Sequence, residues 1–185
     1  MSEQPPASDP AFKRAMLAQL PALRAFAISL CGRGDRADDL VQNAILRAWS
    51  KQHTFIPGSN MKAWLFRILR NGFYSDLRKS GREVSDADGI LTERMAVGPA
   101  QDASLALKDF RHALEALPSD QREAIILVGA SGFSYEEAAG ICDCAVGTLK
   151  SRVNRARTRL RELLSLADNE GAAPDRSGPL AGSFV

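Results

Sequence analysis

No run of 18 apolar residues occurs anywhere in this sequence, so no segment reads as a transmembrane helix. The N-terminus, MSEQPPASDP, lacks the basic start and apolar stretch of a signal peptide, and a cytoplasmic protein is the expectation. Cysteine is scarce and odd in number, three residues with Cys31 far from the other two, so a disulfide framework is not expected. Histidine is scarcer still. His53 and His112 both lie too far from Cys142-x-Cys144 to complete a metal site, and that pair reads as a turn with two small side chains. No Gly-rich phosphate loop, nucleophile elbow or paired metal ligands occur, so neither an enzyme nor a cofactor is expected. Aromatic residues make up only 6% of the chain, but 45% is hydrophobic. Its 185 residues can therefore build one ordinary core or two small ones.

A net charge of +2 says nothing by itself about nucleic acid; its distribution says more. Residues 60–82 hold six Lys/Arg and one acid, and residues 141–165 hold six against two. Between them, residues 83–103 hold five acids and one arginine. Two basic segments flank an acidic one.

The second basic segment contains GTLKSRVNRARTRLREL, residues 147–163, with six cations between Lys150 and Arg161. No proline lies between Pro118 and residue 164. At about 100° per residue, Val146, Leu149, Val153, Ala156, Leu160, Leu163 and Leu164 fall in one arc, a core face. Ser151, Asn154, Arg155, Thr158 and Arg159 point the other way with Arg152 beside them, while Lys150, Arg157 and Arg161 form a flanking row. Upstream, Ser119 is placed to cap a helix ending near Gly132, and Ser134 and Glu137 form an S-x-x-E capping box opening a short helix. Cys142, Asp143 and Cys144 make a tight turn, and the basic helix follows. Two short helices joined by such a turn, the second one basic, form a helix-turn-helix whose second helix suits a DNA major groove.

Period-3.6 patterning runs through the rest of the chain and no alternating strand is visible, so the fold class is all-α. Residues 1–9 read as a disordered N-terminus and 10–82 as a first helical domain. Within it, a helix starts at Pro10, a second follows Pro21 to Gly32, and a third begins near Asp35 with Val41, Ile45, Ala48 and Trp49 inward. A Pro57-Gly58 loop ends in Asn60 as a cap, and a long helix runs from Met61 to about Ser80. Residues 83–103 read as an acidic linker, 104–166 as a second helical domain, and 167–185 as a disordered tail. On the long helix, Trp64, Leu65, Ile68 and Leu69 form the buried side, while Arg67, Arg70, Asn71, Tyr74 and Arg78 converge on another. Arginines around a tyrosine suit a strand with unpaired bases, and equally a solvated amphipathic face.

DRADDLVQNAILRAW, the Phe-Pro-Gly loop, AWLFRILRNGFYSDLRK, LPSDQREAIIL, YEEAAGI and AVGTLKSRVNRARTRL together resemble, in order and spacing, the extracytoplasmic-function sigma factors of the sigma-70 family. The resemblance spans residues 12–166 and is strongest to the EcfG-type general-stress-response subgroup of alphaproteobacteria. It implies that the first domain is sigma region 2, docking on the β′ clamp helices of core RNA polymerase through Asp38, Asp39, Leu40, Gln42, Asn43 and Arg47. The loop with Phe55, Ile56, Ser59 and Asn60 would take a flipped base of the −10 element. The helix face with Lys62, Arg67, Arg70, Asn71, Tyr74 and Arg78 would hold the melting strand. The second domain would be region 4, beside the β flap, reading the −35 element of promoter DNA with Thr148, Lys150, Ser151, Asn154 and Arg155. Arg152, Arg157 and Arg159 would meet phosphates.

The resemblance also implies a GGAAC-like −35 element, an acidic linker along a channel that later carries RNA, and a small NepR-like anti-sigma factor holding both domains compact. Two positions depart from the family pattern: Asn43 where many members carry glutamate, and Asp143 where the turn often has glycine. A helix-turn-helix repressor would account for residues 119–165 and leave the first domain without a task. A sigma-like decoy would have lost the DNA-reading arginines, which this chain keeps.

Overall fold

The structure, a computed structural model, describes residues 10–32, 34–85 and 105–171, the side chains of 80–85, 105, 106 and 166–171 excepted. Every regular element among the described residues is helical. Helix α1 (Pro10–Leu17) is followed by α2 (Leu20–Cys31), which carries Pro21 in its first turn, where a missing N–H costs nothing. It stops at Gly32, whose φ of 70° lets its N–H reach the Ile28 carbonyl at 2.8 Å in a left-handed cap. Helix α3 (Gly34–Ser50) packs on α2 and on α4 (Met61–Ser85). Asn60 caps α4 as expected, its Oδ1 accepting the Ala63 N–H at 3.1 Å. α4 runs five residues beyond the predicted end at Ser80.

The second unit comprises α5 (Leu105–Glu115), α6 (Ser119–Ile125), α7 (Tyr135–Cys142) and α8 (Val146–Gly171). Ser119 does not cap α6. Pro118 takes that position because its carbonyl accepts the first helical N–H groups, from Gln121 at 3.0 Å and Arg122 at 2.9 Å. α6 continues as one π-helical turn over Ile126–Ala130. The capping box before α7 forms in full, Glu137 N–H donating to Ser134 Oγ at 3.1 Å and Ser134 N–H to Glu137 Oε2 at 2.9 Å. The N-terminal, linker and tail expectations fall outside the described residues, except that α4 takes in 83–85 of the predicted linker and α8 continues to Gly171, past the predicted boundary at 166.

Asp143 ends α7 at φ 53°, the one non-glycine positive φ among the described residues. Aspartate tolerates this conformation better than most residues but still carries a Cβ penalty. Asp143→Gly is therefore expected to raise stability by up to about 1 kcal/mol, read as a higher denaturant midpoint. The exposed Arg67–Asp143 contact at 4.0 Å that it removes is worth little. A lowered midpoint contradicts the assignment.

The two units share one apolar cluster. It joins Leu23, Phe26, Leu65, Phe66 and Leu69 of the first unit to Leu127, Phe133, Ile141, Leu149 and Val153 of the second. Phe66 links them: it stacks on Phe26 with centroids 4.8 Å apart and meets Phe133 edge-on at 5.0 Å. Each such fully buried side chain contributes roughly 1.5–3 kcal/mol relative to exposure. A separate small core, Ala113, Leu117, Ala156 and Leu160, fastens α5 to α8.

Candidate nucleic-acid interface

Leu149, Val153, Ala156 and Leu160 of α8 are buried, and the opposite side faces solvent. Thr148, Lys150, Asn154, Arg155, Arg157 and Arg159 are exposed, and Ser151 and Arg152 half-buried. Arg155 is held along the helix by donating from Nη2 to Ser151 Oγ at 2.8 Å. Arg152 is tied to Asp120 at 3.1 Å and Arg159 to Glu162 at 3.1 Å, while Lys150 sits 5.7 Å from the Tyr135 ring. The result is a straight cationic strip with short hydrogen-bonding groups along its centre, backed by α6 and α7.

The face predicted on α4 forms too, but it is turned toward the second unit. Arg70 Nε lies 2.7 Å from Glu123 Oε1, and the Tyr74 hydroxyl donates to Glu123 Oε2 at 3.3 Å. Asn60 Nδ2 donates to Glu137 Oε1 at 2.6 Å, and Lys62 Nζ to the Ser131 carbonyl. Arg67 reaches Asp143, while Asn71 and Arg78 stay exposed. Glu123 is only 1% exposed, so this carboxylate is buried with Arg70 and Tyr74 as its partners. Burial alone would lower the Arg70 pKa; the adjacent carboxylate outweighs it and the net shift is upward. Burial first, and Glu123 second, push the Tyr74 phenol up to about 12. Glu137 is shifted down, chiefly by the Ser134 backbone N–H and then by Asn60.

In the loop, Phe55 packs against Phe12 at 5.7 Å and Trp64 at 5.3 Å, so its ring is a wall of the loop; Ile56 is exposed at the tip. Ser59 Oγ donates to the Ile56 carbonyl at 2.7 Å and fixes the bend. On α3, Asp38, Asp39, Gln42, Asn43 and Arg47 are exposed, with Asp38 bonded to Arg24 at 2.7 Å. Leu40 is 6% exposed and belongs to the core, so it offers a partner no surface. Leu46 is 60% exposed and lies in register with Asp39 and Asn43, a residue that the sequence reading missed although it falls outside the apolar arc. Glu123 was missed as well; its signal is a charge on the same arc as Leu127.

Among the described residues no group of three or more His, Cys, Asp or Glu is arranged to hold a metal, and no helix is long and apolar enough to cross a membrane. Burial, followed by Glu123, raises the Cys142 thiol to about 12, and burial raises Cys31, so both act as packing groups.

The sigma-70 region 2 family model matches residues 16–83 and the sigma-70, region 4 model residues 107–160. The chain is 61% identical over 160 residues to the ECF RNA polymerase sigma factor EcfG of Rhodopseudomonas palustris (strain TIE-1), which covers 86% of this chain and 88% of that relative. It is 39% identical over 132 residues to the ECF RNA polymerase sigma-E factor of Escherichia coli (strain K12), 64% of this chain and 69% of that one. Among solved structures it resembles the sigma factor RpoE in complex with the anti-sigma factor NepR from Bartonella quintana. That match has a TM-score of 0.76 and 63% identity, covering 84% of this chain and 98% of that one. With an all-α pair of units, a basic helix behind a capped turn and both regions matched in order, this chain belongs to the extracytoplasmic-function sigma factors of the sigma-70 family, which direct RNA polymerase to promoters and are not themselves catalysts.

Proposed function

We propose that this sigma factor serves a general stress response in the cytoplasm, and that its two units read the two promoter elements with the side chains described above. The observation that carries this is one chain holding both a cationic recognition strip on α8 and an arginine–tyrosine face on α4. Thr148, Lys150, Ser151, Asn154 and Arg155 contact −35 bases, and Arg152, Arg157 and Arg159 its phosphates. Arginine against guanine is the commonest specific contact of this kind. Asn60, Lys62, Arg67, Arg70, Asn71, Tyr74 and Arg78 take the −10 strand, with Phe55, Ile56 and Ser59 forming the base-receiving loop. Asp38, Asp39, Gln42, Asn43 and Leu46 dock on the β′ clamp helices, and the second unit sits by the β flap.

Five of the −10 side chains are engaged by the second unit in the closed arrangement, so free protein holds that face out of use. A small NepR-like anti-sigma factor stabilises this closed form; its counterpart is bound to the RpoE relative. Run-off transcription tests the reading. Purified protein added to sigma-free core polymerase on a promoter with a GGAAC-like −35 element yields a discrete, protein-dependent transcript. Sequence-specific duplex binding without a transcript favours a repressor, and neither activity alongside tight anti-sigma binding favours a decoy.

A further inference from the structure

Helix α4 carries a glycine in its interior, where glycine is less stable than alanine. Gly72 is buried, and a Cβ built on it would lie 2.5 Å from Arg47 Nη1 and 3.6 Å from Arg47 Cζ. The next neighbour, Leu40 Cδ1, would be in ordinary contact at 3.8 Å. The volume of the absent methyl is thus filled by the guanidinium. Leu40 and Arg47 are seven residues apart on α3, nearly two full turns, so both point at α4; Asp39 and Asn43 border a neighbouring cleft with Phe73, Asp76 and Leu77, and Leu46 points away. Arg47 Nη2 also lies 3.9 Å from Asp76 Oδ1, one turn beyond Gly72; both side chains are about half exposed, so this pair steers the arginine without holding it tightly.

The guanidinium so placed lines an open groove of about 900 Å³. Lys51, Arg70, Asn71, Tyr74 and Arg78 share the lining with Arg47, and Asp143 is its single acid. In the closed arrangement Arg70 is occupied by Glu123; once the units separate, taking Glu123 and Asp143 with the second unit, these four cations select a polyanion. An amide and a ring amid them favour a single nucleic-acid strand, with arginine on phosphate and the ring against a base. We infer that Gly72 is a positioning residue that seats Arg47 in this groove, and that Arg47 and Lys51 hold phosphates of the melted −10 strand. Arg47 therefore serves DNA and not the polymerase clamp. This rests on the reading of α4 as the strand-binding face.

The test uses reconstituted holoenzyme and a single-stranded oligonucleotide bearing the −10 element, with affinity measured across a salt series. Arg47→Ala is expected to weaken binding about tenfold, as for one lost charge-assisted contact. It also flattens the log–log salt slope by about 0.7, the value for one single-strand phosphate. Gly72→Ala displaces the guanidinium and weakens binding about threefold, less than full removal. Its melting temperature is unchanged or higher, since alanine favours the helix. In an Arg47→Ala background Gly72→Ala has no further effect, because the two act through one group.

Equal weakening by Gly72→Ala in both backgrounds overturns the positioning role. Weakened association of Arg47→Ala with core polymerase, with strand affinity of the assembled holoenzyme intact, overturns the assignment to DNA. Tyr74→Ala separates the two levels. If it leaves strand binding untouched, the strand-binding reading of α4 itself fails. If it weakens binding while Arg47→Ala and Gly72→Ala do not, only the present inference fails.

Discussion

Glu123→Ala shifts the free protein toward its open form. Removing one partner of a buried ion pair leaves the other charge without compensation, at a cost of about 3–5 kcal/mol. Arg70 is 15% exposed beside a carboxylate that is 1% exposed, so it meets that description. Separation of the units relieves this cost by returning Arg70 and Tyr74 to water, against the shared apolar cluster around Phe66 and Phe133, which still favours closure. The closed-to-open equilibrium then shifts on the order of hundreds- to thousands-fold. Small-angle scattering of the free variant shows a larger radius of gyration, and the variant binds a −10 single strand without polymerase. Retained −35 duplex binding shows that the helix-turn-helix is still folded.

Tyr74 supplies an independent readout. Its phenol ionises at about 12 in the closed form against 10.0 ordinarily, so across that window the closed form keeps a proton that the open form has lost. Closure is therefore unaffected by Tyr74 below pH 10 and weakens as pH rises from 10 to about 12. In Glu123→Ala the phenol is expected to titrate near its ordinary value of about 10. The chain has two tyrosines, so a Tyr135→Phe background isolates the Tyr74 phenolate absorbance. An unchanged radius together with a Tyr74 still titrating near 12 contradicts the latch.

Arg155→Ala abolishes most of the discrimination between a matched and a scrambled −35 element. Arg155 stands at the centre of the exposed strip, and its bond to Ser151 Oγ at 2.8 Å holds the guanidinium along the helix. A good bidentate arginine–base contact is worth about 1–3 kcal/mol of discrimination, roughly tenfold to a hundredfold or more. Non-specific affinity falls far less, because the exposed Arg157 and the other cations proposed to meet phosphate remain. Competition binding with both duplexes at one salt concentration measures the ratio. Equal loss on both duplexes means that Arg155 touches phosphate, and the base-reading role passes to Asn154 or Lys150.

Local chemistry made much of this protein legible in the sequence. Gly32 and Asp143 end their helices, the Ser134–Glu137 box opens α7, and Leu149, Val153, Ala156 and Leu160 turn the cations of α8 outward. Each of these rests on hydrogen bonds or periodicities that span three to seven residues, which a sequence displays directly. The residues of the α4 face were equally legible as a set. What they touch was not. Arg70 meets Glu123 across 53 positions and Asn60 meets Glu137 across 77. A helical wheel assigned Arg70 and Tyr74 to an open face because it contains no second unit to cover them. Phe66 was passed over as well: it serves a second buried side made by Phe26 of α2 and completed by Phe133 of the second unit. Arg47 likewise divides from its neighbours on α3 only because Gly72 of another helix leaves room for it. The sequence by itself determined the helices, their caps and the two basic surfaces. Only the tertiary structure decided which basic surface is open and which is latched shut, because that depends on contacts between residues that no local periodicity brings together.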